Sequence, residues 1–333
     1  MKLDYFYKKT KRIKKVLQEL IILKKVIDLL PKLPHLEENL KRESLLKSSL
    51  FSAKIEGNKL ELRDIKYSSL KNSSLKSPKT LAKLEIFNIL KGLNFIYSKK
   101  APKKLTKNFI LKLHQIVLSG ISPSAGCLRK EPSAIFNQAG VAVYLPPPAD
   151  QVNSLLNELI KKNNFLKENG LVKAAIFHFI FEKVHPFLDG NGRVGRLIST
   201  FILKNGGYSF RGLISFEEYL EENRPEYYDL LNLKNKDMTE FVEFFLEAIK
   251  NQAEKVMKKL KATKKEKPED ILLPRRREIL EIIKDHPYVS FDFIKRRFLK
   301  IPKSTLHYDL RQLQKGKFIK KLGSTRGTVY AIF

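Results

Sequence analysis

The chain has 333 residues, 43% of them hydrophobic, a length and composition that support two or three domains with buried cores. Its formal charge of +30 raises solubility and attracts polyanions without specifying one, because lysines are spread through every segment and only 15 of the 65 basic residues are arginine. No apolar run reaches the ~20 residues of a membrane helix, and a lone cysteine, Cys127, excludes an internal disulfide and makes a reducing cytoplasm the expected setting.

From the N-terminus, Met1-Lys2-Leu3-Asp4-Tyr5-Phe6-Tyr7-Lys8-Lys9 lacks the apolar region of a signal peptide. In Ser52-Ala53-Lys54-Ile55-Glu56-Gly57-Asn58, Ser52 and Glu56 stand at i and i+4, on one face of a helix that Gly57 can end in a left-handed conformation. That pattern alone also fits an ordinary exposed helix end. Residues 171–184 are apolar on nearly every side, which predicts a short helix buried in a core and a rigid base for the next segment.

That segment is His185-Pro186-Phe187-Leu188-Asp189-Gly190-Asn191-Gly192-Arg193-Val194-Gly195-Arg196. Gly190, Gly192 and Gly195 satisfy G-x-G-x-x-G, but the dinucleotide fingerprint needs a preceding strand, and here a helix is expected. Glu182 and His185 form one Glu-x-x-His, whereas a carboxylate-bridged two-metal site needs two; the chain has no second. A purely structural turn, with Asn191 capping a helix and His185 a satisfied buried imidazole, explains each residue singly and the whole set poorly. Phosphate chemistry explains the set. The glycines let backbone N–H groups approach phosphate oxygens, and a helix expected to start near Arg193 aims its positive end at them. Arg193 and Arg196, one helical turn apart, offer two forks to one polyphosphate. Asp189 suits a Mg²⁺ held by one carboxylate plus substrate oxygens and water. His185, with an ordinary pKa of about 6.5, suits a general base. Together these describe in-line transfer at phosphorus.

Residues 254–270 are dense in lysine, with Pro268 near the end, and read as a helix tail followed by a linker. Beyond them, helices are predicted over 275–285, 290–298 and 304–315, the last with Leu306, Leu310 and Leu313 on one stripe and Thr305, Tyr308, Arg311, Gln312 and Lys315 off it. Residues 318–322 and 328–332 read as a hairpin about a glycine-bounded turn, and three helices with a hairpin predict a winged helix. From 271 to 333 there are fifteen Lys or Arg against five Asp or Glu, consistent with DNA as a partner, although such modules also dock proteins or dimerise.

The 185–196 stretch resembles the signature of the Fic (filamentation induced by cAMP) family, HPFx(D/E)GNGRxxR, at every fixed position, with Asp189 as the acidic member. The resemblance implies a mainly α fold, a Fic-type helical bundle with a β-hairpin flap, that moves AMP from ATP to a Ser, Thr or Tyr hydroxyl of a protein and releases pyrophosphate. It implies that His185 deprotonates the hydroxyl and that Asp189 carries Mg²⁺. Gly190, Asn191, Gly192, Val194 and Gly195 would line the nucleotide, the Asn191 region at its α-phosphate, with Arg193 and Arg196 on the outer phosphates. Ser52 and Glu56 fit the family's inhibitory pattern (S/T)xxxE(G/N), which pairs Glu56 with Arg196 and keeps the γ-phosphate from its productive position. Ala125-Gly126-Cys127-Leu128-Arg129 and Val141-Ala142-Val143-Tyr144-Leu145-Pro146-Pro147-Pro148 resemble the flap that holds the target segment by strand addition. Ile135-Phe136-Asn137-Gln138-Ala139-Gly140 departs from the usual Ile-Gly or Val-Gly there. Arg224-Pro225-Glu226-Tyr227-Tyr228 with Asn235 resembles the segment lining base and ribose, although both tyrosines also suit ordinary packing.

The expected organisation is an N-terminal helical region with the inhibitory motif over 1–79, a Fic core over 80–253, a basic linker over 254–270 and a winged helix over 271–333. The expected activity is that of an auto-inhibited protein adenylyltransferase. Alternatives are a DNA-binding, nucleotide-responsive regulator, removal of AMP with Glu56 orienting a water, and use of another nucleotide donor. The partners would be a target protein or the chain itself as acceptor, DNA through 271–333, and a second copy in a homodimer, with no membrane.

Overall fold

A computed structural model describes residues 3–30, 34–65, 78–136, 142–233, 235–262, 269, 272–324 and 327–333. The chain is mainly helical and divides into two compact units, Met1–Leu30 with Lys41–Lys261, and Pro31–Leu40 with Ala262–Phe333. The first unit holds α1 (Lys11–Leu29), most of α2 (Pro34–Ile55), α3 (Pro78–Tyr97), α4 (Lys107–Val117), α5 (Ala149–Phe165), α6 (Gly170–Val184), α7 (Asn191–Asn205), α8 (Phe216–Glu222), α9 (Arg224–Leu231) and α10 (Thr239–Ala262). Among its described residues a two-strand ribbon, β1 (Ile135–Phe136) and β2 (Ala142–Tyr144), pairs antiparallel, with Ile135 opposite Tyr144.

The core is built around α6 and α7. In α6 the side chains of Phe177, Phe179 and Phe181 are all buried, as the all-round apolar pattern requires, and Asn169 caps its start by accepting from Leu171 N–H. The far ends of the pair close on glycine. A Cβ on Gly170 would stand 2.9 Å from Gly206 Cα, so the backbones touch there and neither position has room for a side chain. Gly170→Ala and Gly206→Ala should each cost about 1–3 kcal/mol, seen as a lower urea midpoint at unchanged m-value; a midpoint equal to the parent's would refute the contact.

The N-terminal segment is tied in by an isolated bridge: Phe6 N–H donates to Lys236 O at 3.0 Å and Met238 N–H to Phe6 O at 2.9 Å. Helix α10 runs on to Ala262, so the lysine-dense stretch begins as helix. Residues 263–268 and 270 of the expected linker lie outside the described residues. Among the described residues no helix is long and apolar enough to cross a membrane.

The second unit carries α11 (Pro274–Lys284), β3 (Val289–Ser290), α12 (Phe291–Arg297), α13 (Lys303–Lys315), β4 (Ile319–Leu322) and β5 (Val329–Ile332), with an antiparallel sheet in the order β3-β5-β4. Leu306, Leu310 and Leu313 of α13 bury against Ile279, Ile283 and Ile294, which is why their spacing was helical. Strand β3 was not expected; two residues are too short to show alternation. Thr325 and Arg326 of the expected hairpin turn lie outside the described residues.

Candidate active site

The loop after α6 is a strained stop held by buried hydrogen bonds. His185 ends the helix at φ 47, ψ 63, a left-handed conformation that costs a non-glycine residue about 1 kcal/mol or more, and Pro186 cannot continue the helix. Two bonds fix it: His185 N–H donates to Phe181 O at 2.9 Å, and Arg129 Nε donates to His185 O at 2.8 Å. Arg129, only 3% exposed, also spans Glu131 O at 3.1 Å and Pro147 O at 2.5 Å. This corrects the flap as read from sequence. A turn occupies residues 123–126, Arg129 after it bonds to the backbone of the loop after α6 and not to a strand, and the paired strands lie at 135–136 and 142–144 instead. The departing stretch Asn137-Gln138-Ala139-Gly140 lies outside the described residues.

Beneath the loop, His114 of α4 stacks on Phe187 with ring centroids 3.7 Å apart and planes 7° apart. Its Nδ1 accepts from Gly126 N–H at 2.9 Å, which leaves a proton on Nε2 to meet Asp189 O at 3.1 Å. The Asn191 side chain closes the loop on itself, accepting from Phe187 N–H at 2.9 Å and donating to Phe187 O at 2.8 Å. Gly190, at φ +82, is the N-cap of α7. The helix therefore begins at Asn191, two residues before the expected start near Arg193, and its first N–H groups face the mouth of the loop.

Both arginines already hold acids. Arg193, its side chain 6% exposed, donates from Nη2 to Asp189 Oδ1 at 2.5 Å and from Nη1 to Glu85 Oε1 of α3 at 2.6 Å. Arg196, 1% exposed, donates from Nε to Ser52 Oγ at 2.9 Å and from Nη2 to Ser52 O and Glu56 Oε1, each at 2.8 Å. Glu56 is aimed by the helix end that carries it. Gly57, at φ +97, donates to Lys54 O at 2.8 Å and Asn58 N–H to Ala53 O at 3.1 Å, the paired closure of a Schellman motif.

The glycines divide their duties more than the sequence suggested. A Cβ on Gly192 would collide with Glu56 Oε1, and one on Gly195 with Glu182 Oε1 of α6, so these two make room for the ion pair and for helix packing. Val194 faces the core. Tyr228, half-buried, donates its hydroxyl to Ile55 O at 3.1 Å, at the end of α2. Tyr227 is in the core with its hydroxyl 2.7 Å from His178 Nε2, and Asn235 is exposed.

Burial sets the protonation states. It pushes His185 down to about 4 and His178 down to about 3, so both imidazoles are neutral near pH 7. It pushes Glu182 up to about 8 and so keeps that carboxyl protonated. Because the folded pKa of Glu182 is above the unfolded value of 4.5, its contribution to stability is complete below pH 4.5 and is lost as pH rises towards 8. Glu182→Gln should gain on the parent by up to a few kcal/mol across that window; thermal melts showing a pH-independent difference would overturn the assignment. Asp189 has a side chain 54% exposed at the loop mouth. A single carboxylate there fits Mg²⁺, which takes its other ligands from phosphates and water. Among the described residues no cluster of three or more His, Cys, Asp or Glu forms a protein-only metal site.

Residues 104–203 match the model of the Fic/DOC family. The match marks a Fic/DOC domain within this part of the chain. A probable protein adenylyltransferase of Aquifex aeolicus is 29% identical over 152 residues, 41% of this chain and 45% of that protein. A protein adenylyltransferase Fic of Drosophila mojavensis is 31% identical over 144 residues, 42% of this chain and 26% of that protein. The chain thus spans less than half the length of these relatives. The crystal structure of a Fic family protein from Desulfovibrio desulfuricans G20 superposes with a TM-score of 0.67 at 22% identity, covering 98% of this chain and 97% of that one, which shows a shared fold. Within the Fic/DOC domain, Arg129 and His114 are supports that sequence reasoning missed, and so is Glu85 just outside it. A lone histidine on the buried face of α4 carries no pattern to mark it. Arg129 was in view only as a residue of an expected strand.

Proposed function

We propose that this chain is a protein adenylyltransferase, moving AMP from ATP to a Ser, Thr or Tyr hydroxyl of a target protein or of itself, and that Glu56 holds it off. One observation carries the reading: a neutral imidazole, an anion-binding helix start and two buried arginines converge on the loop 185–196. The relatives named for this activity support it. In the reaction the acceptor oxygen bonds to the α-phosphorus as the bond from that phosphorus to its bridging oxygen breaks. Pyrophosphate leaves, and the hydroxyl proton passes to His185. The Gly190 to Gly192 backbone holds the α-phosphate, while Arg193 and Arg196 take the outer phosphates. Mg²⁺ at Asp189 would offset phosphate charge. Tyr228 and Asn235 border base and ribose, with Tyr227 packing behind. The β1–β2 ribbon offers an edge to the target segment. Ser52 and Glu56 occupy Arg196 where the γ-phosphate would lie. The setting proposed is a reducing cytoplasm, where the exposed thiol of Cys127 stays free. The test is label retention: the protein should keep radioactivity from α-labelled ATP and none from γ-labelled ATP. No retention from any nucleotide, by the parent or a Glu56 variant, would end the transferase reading.

For the second unit we propose a winged helix that binds duplex DNA. On α13 the one acid, Asp309, is 1% exposed and is bound by Arg275 and Arg276, so the solvent face shows Lys303, His307, Arg311 and Lys315 without a competing carboxylate. With the full-length chain, fluorescence anisotropy on duplex pools should find a preferred sequence whose affinity falls in Arg311→Ala. Equal weak binding to all duplexes, lost at moderate salt, would leave charge as the only cause.

A further inference from the structure

Arg193 is held from behind by a carboxylate that no loop motif contains. Its Nη1 donates to Glu85 Oε1 at 2.6 Å, and the other oxygen of Glu85 accepts from Asn58 Nδ2 at 2.7 Å. Asn58 Nδ2 also donates to Ala82 O at 3.0 Å, one turn earlier on α3, so the acid cannot swing away freely. The other partner of Arg193 is of a different kind. Asp189 reaches Nη2 from the open side with a side chain 54% exposed, against 16% for Glu85. The Nε of Arg193, on the same edge as Nη2, is buried with no hydrogen-bond partner among the described residues.

A guanidinium offers five N–H groups, and its Nε–Nη2 edge matches two oxygens of a phosphate. Here one nitrogen is fixed by a deep, doubly tied acid, while that edge is covered only by a carboxylate that can turn to solvent. We infer that Glu85, backed by Asn58, is a positioning residue that keeps the Nε–Nη2 edge of Arg193 turned towards nucleotide phosphate, an inference that rests on the loop binding a nucleotide. The same chain segment then serves both arginines with opposite effects. Glu56 blocks Arg196 directly, and Asn58, two residues on, orients Arg193 through Glu85.

The experiment is a double-mutant cycle on Mg-ATP affinity, measured by calorimetry in the full chain carrying Glu56→Gly. Glu85→Ala should raise Kd about tenfold, the scale of one charge-assisted hydrogen bond, and Glu85→Gln, which keeps an acceptor at the same reach, should recover part of it. In an Arg193→Ala background Glu85→Ala should add nothing, whereas a merely structural role would cost the same with or without the arginine. Unchanged or tighter binding by Glu85→Ala, or an equal loss without Arg193, overturns the inference and leaves the nucleotide reading standing. No binding of ATP by the Glu56→Gly parent would remove both.

Discussion

Glu56→Gly should raise the initial rate of AMP incorporation from α-labelled ATP by on the order of a hundredfold, the scale of one or two charge-assisted hydrogen bonds at 1.5–3 kcal/mol each. The Nε–Nη2 edge of Arg196 is already committed in the parent, to Ser52 and Glu56, and the residue is 1% exposed. A γ-phosphate arriving there meets a neutralised cation and a carboxylate of its own sign. Removing the carboxylate returns charge to Arg196 while Ser52 still aims it, so the freed group is already oriented. Ser52→Ala, which leaves Glu56 and the Ser52 carbonyl in place, should change the rate far less. The cost falls on stability, because a buried guanidinium loses its counter-charge; the variant's melting temperature should drop without nucleotide and recover with ATP. Glu56→Gln keeps length and an acceptor without the charge and should fall between the two, which separates electrostatic blocking from a loosened helix end beside Gly57. Equal rates for parent and both variants would detach Glu56 from control.

What the sequence made legible is what lies close along the chain. Helix α6 was visible because its burial repeats within a few residues, and the loop because its donors and acceptors fall inside twelve positions. The Schellman end at Gly57 and the stripe of Leu306, Leu310 and Leu313 are equally local. The supports of the loop are not. Glu85 lies 108 positions from Arg193, Arg129 lies 56 from His185, and His114 lies 75 from Asp189. None of these contacts has a period or a spacing; the packing of α3 and α4 against α7 brings Glu85 and His114 to the loop, and the irregular segment after α4 brings Arg129 to the end of α6. The glycines show the same limit: φ +82 at Gly190 is a conformational demand that a turn motif signals, whereas the space needed at Gly192 and Gly195 is set by Glu56 and Glu182 arriving from other helices.

His185→Ala, made in the Glu56→Gly chain, should lower AMP incorporation by roughly 10²–10⁴-fold, the usual worth of a general base, with Mg-ATP affinity little changed. The pH dependence separates a base from a packing residue. Burial holds the folded pKa of His185 at about 4 against 6.5 in the unfolded chain, so the folded site keeps its proton acceptor well below pH 6.5. Linkage has the matching sign: between 6.5 and 4 the unfolded chain binds more protons, so this histidine's contribution to stability is full above 6.5 and is lost as pH falls through that window. Folded protein should therefore become scarcer before each folded molecule loses its base. The incorporation rate, divided by the folded fraction from circular dichroism, should hold nearly level down to about pH 5 and fall towards 4. His185→Ala should lose less stability than its parent over the same range, since it no longer carries an imidazole that must stay neutral. A normalised rate that halves near 6.5 would mean that water reaches the imidazole freely and that burial does not set its pKa, whereas a rate that survives His185→Ala would place the base elsewhere.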